Sequence, residues 1–320
     1  MDSCPYPNLL RLGEIDWPVV PEAIFGRRAK LVVEVGFGNG QFLEDMARVH
    51  PEWNLLGVEI APASVTRAWR RLRRAAMAHV KVMRGQAAFV VRELCPPRGL
   101  HRVFVNFPDP WPKEKHEERR LLRQPFFRLL STRLEPEGAL LLTTDHEEYF
   151  RFSVEQAEAT GLFRITEGSP PAEMLRTKYA QRWLGLRKSI FHGEFRKQAE
   201  DPDRHRPRVE VVDMQHIRLK GSLDGIGGFE KTLHRFETGQ VVLKNCYRGL
   251  DGRVLIFLCI VDEDDLRQEV LVEARPSASG IFVALMGFGA PVITRGVRES
   301  VRAVAGWLRQ QGLELIEEAV

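Results

Sequence analysis

The residues with the clearest chemistry lie in the first half of the 320-residue chain. Glu34-Val35-Gly36-Phe37-Gly38-Asn39-Gly40 sets three glycines at alternate positions after an apolar run, with a carboxylate two residues ahead of the first. Glycines spaced this way let the backbone turn sharply and come close to a ligand, because no Cβ intervenes. A dinucleotide fingerprint reads G-x-G-x-x-G, and Gln41 stands where its third glycine belongs. Glu34 would repel a pyrophosphate but suits a ligand that carries positive charge. Glu59 follows Gly40 by 19 residues and closes a second apolar run, where a carboxylate accepts hydrogen bonds from both hydroxyls of a ribose. The third feature is Asn106-Phe107-Pro108-Asp109-Pro110-Trp111-Pro112-Lys113. Prolines on both sides of Asp109 fix its backbone. Its carboxylate then projects as a fixed acceptor, fit for the N1–H and exocyclic amine of a guanine, with Trp111 as a stacking surface. Alone, that segment reads equally well as a rigid surface turn; with the glycine loop and Glu59 it reads as a site.

Such a site needs a scaffold, and the chain alternates strand and helix patterns from Lys30 onward. Residues 31–35, 53–60, 80–83, 101–107 and 138–143 read as strands, and 41–49, 62–78, about 117–134 and 147–159 as helices, the second of them Arg-rich. Pro62 falls at a helix start, where a missing N–H costs nothing. Strands spaced by helices of this length predict a parallel sheet covered on both faces, doubly wound, with its site at the strand C-terminal ends. Residues 1–25 read as a Pro-rich lead-in arm, 26–197 as the α/β domain and 198–208 as a polar linker. Residues 209–320 read as a smaller α+β domain, with apolar runs at 209–212, 240–243, 254–261, 270–272 and 280–286 and a helix over about 298–311.

Composition narrows the class. With 44% hydrophobic and 28% charged residues, the chain has the balance of a globular protein, and no apolar run reaches the roughly 18 residues of a membrane span. Met1-Asp2-Ser3-Cys4-Pro5 lacks the pattern of a signal peptide, so a cytoplasmic location is expected. Cys4, Cys95, Cys246 and Cys259 are scattered, and no ligand spacing for a metal appears; no metal is expected. Residues 1–200 hold 31 Lys+Arg against 25 Asp+Glu, and 201–320 hold 16 against 18. A basic excess in the first part is compatible with a polyanionic partner, though an Arg-rich enzyme without one would look the same.

E-x-G-x-G-x-G is the loop variant that methyltransferases carry, their donor having no pyrophosphate. Together with Gly57-Val58-Glu59, the 106–113 segment, His116, Arg119-Arg120, Thr143-Thr144-Asp145 and Thr177-Lys178-Tyr179, it makes residues 25–195 resemble the bacterial tRNA (guanine-N7)-methyltransferases, the TrmB-like family. The Phe-Pro-Asp-Pro-Trp segment with its downstream basic cluster is the specific part of that resemblance; the glycine loop alone is not. The resemblance implies a class I methyltransferase (Rossmann-like) fold and S-adenosylmethionine as cofactor. It implies a cofactor site of Glu34, Gly36, Gly38, Gly40, Glu59, Gln86 and Asp109, with Asp109 the catalytic candidate. Lys113, Asp145 and Thr177 would meet the substrate nucleotide, and Lys115, His116, Arg119 and Arg120 the RNA. The substrate would be the guanosine at position 46 in the variable loop of tRNA. Two positions depart from the family: Gln86 replaces an acidic residue or Asn, and Ala180 replaces a Glu.

Guanine N7 carries an exposed lone pair, so the implied reaction needs alignment and charge stabilisation, and no general base. N7 faces the deep, narrow groove of A-form RNA, so the target must lie in a loop or be exposed by distortion. The rival readings are another adenosylmethionine-dependent enzyme, a nicotinamide-linked dehydrogenase, and a catalytically silent RNA-binding module on the same fold. Nothing comparable marks the C-terminal part or fixes the oligomeric state.

Overall fold

The computed structural model describes residues 8–17, 19–172, 174–176, 189–203, 205–209 and 216–319. They group into two compact units, Met1–Arg11 with Val19–Pro207 and Leu12–Pro18 with Arg208–Val320. Among the described residues no helix is long and apolar enough to cross a membrane.

The first unit runs β1 (Leu9–Leu10), α1 (Pro21–Phe25), β2 (Lys30–Val35), α2 (Gln41–Val49), β3 (Trp53–Glu59), α3 (Pro62–Arg74), β4 (Val80–Arg84), α4 (Ala87–Leu94), β5 (Leu100–Asn106), α5 (Gln124–Arg133), β6 (Leu134–Thr144), α6 (Glu147–Glu158), β7 (Phe163–Gly168) and β8 (Phe191–Lys197). Its eight-stranded sheet has the order β1-β4-β3-β2-β5-β6-β8-β7. The pairings from β1 to β6 are parallel, and β8 is antiparallel to both β6 and β7. This is a doubly wound, mainly parallel sheet. From β2 the chain order runs outward through β3 and β4 on one side and β5 and β6 on the other. The switch point therefore lies between β2 and β5, and the crevice opens at their C-terminal ends.

Register brings the ends together. Val35 faces Val58 on one side and Val105 on the other, and Glu59 faces Arg84, while Asn106 faces Thr143. The central strands are apolar because helices cover both sheet faces. Val32, Val33, Leu55, Leu56, Val103 and Val105 are all buried.

Three local departures from the sequence pattern have physical causes. The helix expected over 117–134 is a 3-10 stretch at Glu114–Arg119 followed by α5. Pro125 fits only the first turn of a helix, so a new helix starts there. The lead-in arm is not wholly irregular. Leu9 and Leu10 pair with Val82 and Met83 at the sheet edge, and Asn8 Nδ2 donates to the carbonyls of Met77 and Val80 at 2.7 and 2.8 Å. The expected linker is also anchored: Asp201 is buried, accepts from Arg128 at 3.0 Å, and its N–H donates to Ser131 Oγ at 3.0 Å.

The second unit comprises β9 (His216–Lys220), β10 (Thr232–Phe236), β11 (Gly239–Arg248), β12 (Leu255–Glu263), β13 (Leu266–Ser277), β14 (Gly280–Leu285), α7 (Arg295–Gln310) and β15 (Glu314–Ala319). Its antiparallel sheet has the order β10-β11-β12-β13-β14-β9-β15. Alternate residues such as Phe257, Cys259, Val261, Val270 and Val272 form a core with α7. Trp307 of α7 packs edge-on to Phe257 at 5.4 Å. The run expected at 209–212 lies outside the described residues beyond Val209.

Candidate active site

The glycine loop leaves β2 with Gly36, Gly38 and Gly40 at φ 74°, 56° and 74°, left-handed values that a Cβ disfavours. The three glycines do different things. A methyl group added at Gly36 or Gly38 meets no atom within 4 Å, so these two leave open space against the backbone. At Gly40 it would stand 2.6 Å from Ala68 Cβ, so this glycine lets α3 pack close to the loop. Gln41 N–H donates to Asn39 Oδ1 at 3.1 Å, an Asx turn that starts α2.

Glu59 ties the loop to the neighbouring strand. Its Oε2 accepts from Gly38 N–H at 3.2 Å, and its Oε1 accepts from Ile60 and Ala61 N–H at 2.8 and 3.0 Å. The carboxylate is half-buried and offers about four acceptor positions, so one direction stays open after these bonds. Gly85 N–H donates to the Glu59 carbonyl at 3.1 Å, which sets Gln86, exposed at the start of α4, beside the same crevice.

Glu34 is only 3% exposed. Asn106 Nδ2 donates to its Oε1 at 3.3 Å, whereas Glu34 Oε2 and Asn106 Oδ1 are buried with no hydrogen-bond partner among the described residues. Burial pushes the Glu34 carboxyl up to about 8; the Asn106 bond pulls it down and the Glu59 charge adds to the rise. Asn106 carried no role in the sequence reading. The signal for one is its place as the last residue of β5, one position past the residue that faces Val35.

The 106–113 loop is held from beneath. Phe107 and Trp111 both have positive φ, 51° and 43°, a conformation that disfavours any residue with a side chain. Phe107 N–H donates to the Thr143 carbonyl at 2.7 Å. Arg120 donates through Nε to Pro110 O at 3.1 Å and through Nη2 to Trp111 O at 3.3 Å and Glu148 at 2.8 Å. Its guanidinium lies 4.7 Å from the Phe152 ring centroid. Expected at the RNA surface, Arg120 is instead buried, a brace for the loop with Nε and Nη2 committed to it. Arg119 is exposed and stacks over Trp111 at 5.0 Å, and His116 meets the same ring edge-on at 5.9 Å.

Asp109 is exposed at the tip of this loop. Lys113 and Lys115 are exposed just beyond it, and Asp145 is half-buried at the end of β6. Under that end, Thr143 Oγ1 lies 3.0 Å from His192 Nδ1, and burial holds His192 below its ordinary range, hence neutral. Thr177, with Ala180, lies outside the described residues.

A family profile described as a putative methyltransferase matches residues 28–192. The chain is 46% identical over 302 residues to the tRNA (guanine-N(7)-)-methyltransferase of Thermus thermophilus, covering 94% of this chain and 96% of that one. It is 40% identical to the enzyme of the same name from Deinococcus radiodurans, over 95% and 97% of the two chains. The chain belongs to the tRNA (guanine-N7)-methyltransferase family. Another member, from Bordetella parapertussis, is 38% identical over 183 residues, 56% of this chain and 72% of its own. Members therefore differ in how much of this chain they match. The crevice described above falls inside the stretch that the family profile covers.

Proposed function

We propose that this chain is a cytoplasmic enzyme that transfers the methyl group of S-adenosylmethionine to N7 of the variable-loop guanosine at position 46 of tRNA. One observation carries the reading. Along a single sheet edge, an open glycine loop flanked by two carboxylates faces a strained, braced loop that presents Asp109 and Trp111. The residues fit the donor. Glu34 Oε2 and Asn106 Oδ1 are orphaned acceptors in a buried spot, matched to a cationic group with N–H donors, and Glu59 keeps an acceptor direction for ribose hydroxyls. Gly36 and Gly38 give the close approach, and Gln86, exposed at the start of α4, is assigned to the adenine amine through its amide carbonyl. When bound, the cofactor supplies an electrophilic methyl group on a sulfonium sulfur.

The protein's task is then alignment and electrostatics. Holding two reactants in register supplies up to roughly 7–11 kcal/mol of the barrier in ideal systems. Asp109 receives the guanine N–H edge, and Trp111, fixed by Arg119 and His116, offers the ring a stacking face. Methyl transfer moves positive charge onto the purine, and the carboxylates of Asp109 and Asp145 stabilise it in a preorganised field. No proton is removed, so Asp109 acts as an acceptor and counter-charge and not as a base. Lys113, Lys115 and Arg119 hold phosphates beside the target base. Thr177 is proposed for the nucleotide pocket on the resemblance alone.

The test is direct. The protein is incubated with labelled S-adenosylmethionine and unmodified tRNA, and the product is cleaved with aniline, which cuts at 7-methylguanosine. One cut in the variable loop is expected. Label at another atom or in another RNA would point to a different adenosylmethionine-dependent enzyme, and no transfer with tRNA still bound would point to a silent binding module.

A further inference from the structure

Helix α3 differs in charge from the other helices of the chain. From Ile60 to Arg92 there are eight Lys and Arg and no Asp or Glu. Five of those arginines sit on α3. Arg71 turns toward α2 and pairs with Glu44 at 2.9 Å. Arg67, Arg70, Arg73 and Arg74 are exposed, and among the described residues no carboxylate pairs with any of them. Exposed arginines on other helices do find acids: Arg48 has Glu44, Arg151 has Glu167 and Arg295 has Glu237.

Helix stability does not account for the pattern. Cations in the last turn complement the helix dipole, which covers Arg71, Arg73 and Arg74. Arg67 and Arg70 lie mid-helix, outside that effect. The spacing 67, 70, 74 puts three guanidinium groups in one stripe, and like charges three and four residues apart disfavour a helix. Local contacts hold the stems and leave donors pointing outward. Arg67 Nη2 donates to Ser64 Oγ at 2.9 Å, Arg74 Nε donates to the Arg70 carbonyl at 3.3 Å, and Arg73 rests on Trp69 at 5.1 Å.

The stripe begins at the crevice. Pro62 opens α3 three residues after Glu59. Arg84, also exposed, donates to the Ile60 carbonyl at 3.2 Å on the same edge. From there the helix runs for about 18 Å at 1.5 Å per residue. Guanidinium forks match phosphate oxygens two at a time, and contacts of this kind position a nucleic acid without reading its sequence.

We propose that the outward face of α3, with Arg67, Arg70 and Arg74 at its centre and Arg84 beside its start, is a second phosphate-binding surface that carries the body of the tRNA while the target guanosine is held at the Asp109 loop. The proposal rests on RNA being the substrate. The experiment compares full-length wild type with R67Q/R70Q/R74Q, both first shown to melt alike and to bind S-adenosylmethionine alike. The plot of log affinity for tRNA against log salt should lose about 2–3 in slope, because each lost phosphate contact removes about one. At about 150 mM salt the KM for tRNA should rise on the order of 10-fold, with kcat at saturating tRNA kept within about twofold. R67K/R70K/R74K should retain the slope, since a point charge still neutralises a phosphate. If the triple Gln variant melts early, R70Q/R84Q reads the same surface through a slope loss of about 2. An unchanged slope and KM would overturn the proposal, and so would a fall in kcat with unchanged RNA affinity. Should wild type form no 7-methylguanosine, the reaction proposed above fails instead, while the slope comparison still reads the surface.

Discussion

Glu34 shows how much a single side chain decides here. Its carboxyl ionises near 4.5 in the unfolded chain and near 8 in the fold, where burial opposes charge. The folded state thus holds the proton more tightly. Stability from this group is complete below about pH 4.5 and is lost as pH rises through 8, at about 1.4 kcal/mol per pKa unit. Wild type is expected to melt lower at pH 8.5 than at pH 5.5 by more than E34Q does, a difference that thermal scans of the two proteins measure. A cation placed against Glu34 reverses the sign by favouring the ionised form. S-adenosylmethionine should therefore raise the melting temperature more at pH 8.5 than at 5.5, and E34Q should lose that difference. Equal pH dependence in both proteins would show that Glu34 does not titrate in this window. Asp109 makes a different prediction, because it is exposed and its proposed role is on the substrate. D109N keeps the shape but removes the counter-charge, so kcat should fall by about 10²-fold while KM for tRNA changes less than about threefold. Near-normal turnover by D109N would remove Asp109 from the chemistry.

At the scale of elements, the glycine loop separates packing from ligand access. G40A meets two obstacles at once, a left-handed backbone and Ala68 Cβ at 2.6 Å. The expected cost is about 2–4 kcal/mol, a fall of about 5–12 °C in Tm. G36A meets only the backbone cost, about 1–2 kcal/mol, since the space beside it is open. Its larger defect should be in cofactor affinity, measured by calorimetry; a G36A protein that binds as wild type would place the ligand elsewhere. This division of labour was not legible in the sequence, where the three glycines look alike. What was legible were the strands and the loops that follow them, because apolar runs of strand length end at glycine or proline turns. Helix α4 was not, since Ala87, Phe89, Val90, Val91 and Leu94 are buried nearly all round and leave no amphipathic period. Strands β7 and β8 lacked a signal for a related reason, an edge pair of mixed charge and aromatic residues. Arg120 misled because it sits in the basic cluster that the resemblance assigned to RNA, whereas burial depends on the loop folding back over it. The burial of Glu34 was equally hidden, since nothing local says that a carboxylate on an inner strand is covered on both sides.

For the whole molecule, the question is where the catalytic unit ends. Every described crevice residue comes from the first unit, which closes at Pro207. Composition alone put a free linker from 198 to 208, yet that stretch is fastened to α5. Asp201 is buried and bonded to Arg128 and Ser131, and Arg133, itself 1% exposed, donates to the carbonyls of Arg92 and His205. Losing an acceptor at so deeply placed a guanidinium is costly, because each unmet buried donor costs about 1–3 kcal/mol or more. Two truncations separate the possibilities. A chain of residues 1–207 keeps these bonds and should bind S-adenosylmethionine within about threefold of the full protein. A chain of residues 1–197 strips the acceptor from Arg133 and the partner from Arg128, and should lose about 3–5 kcal/mol, with a broad, early melt. The Bordetella member matches only 56% of this chain. If the two truncations melt alike, the 198–207 stretch is a tether after all, and the bonds to α5 contribute nothing to the unit that holds the site.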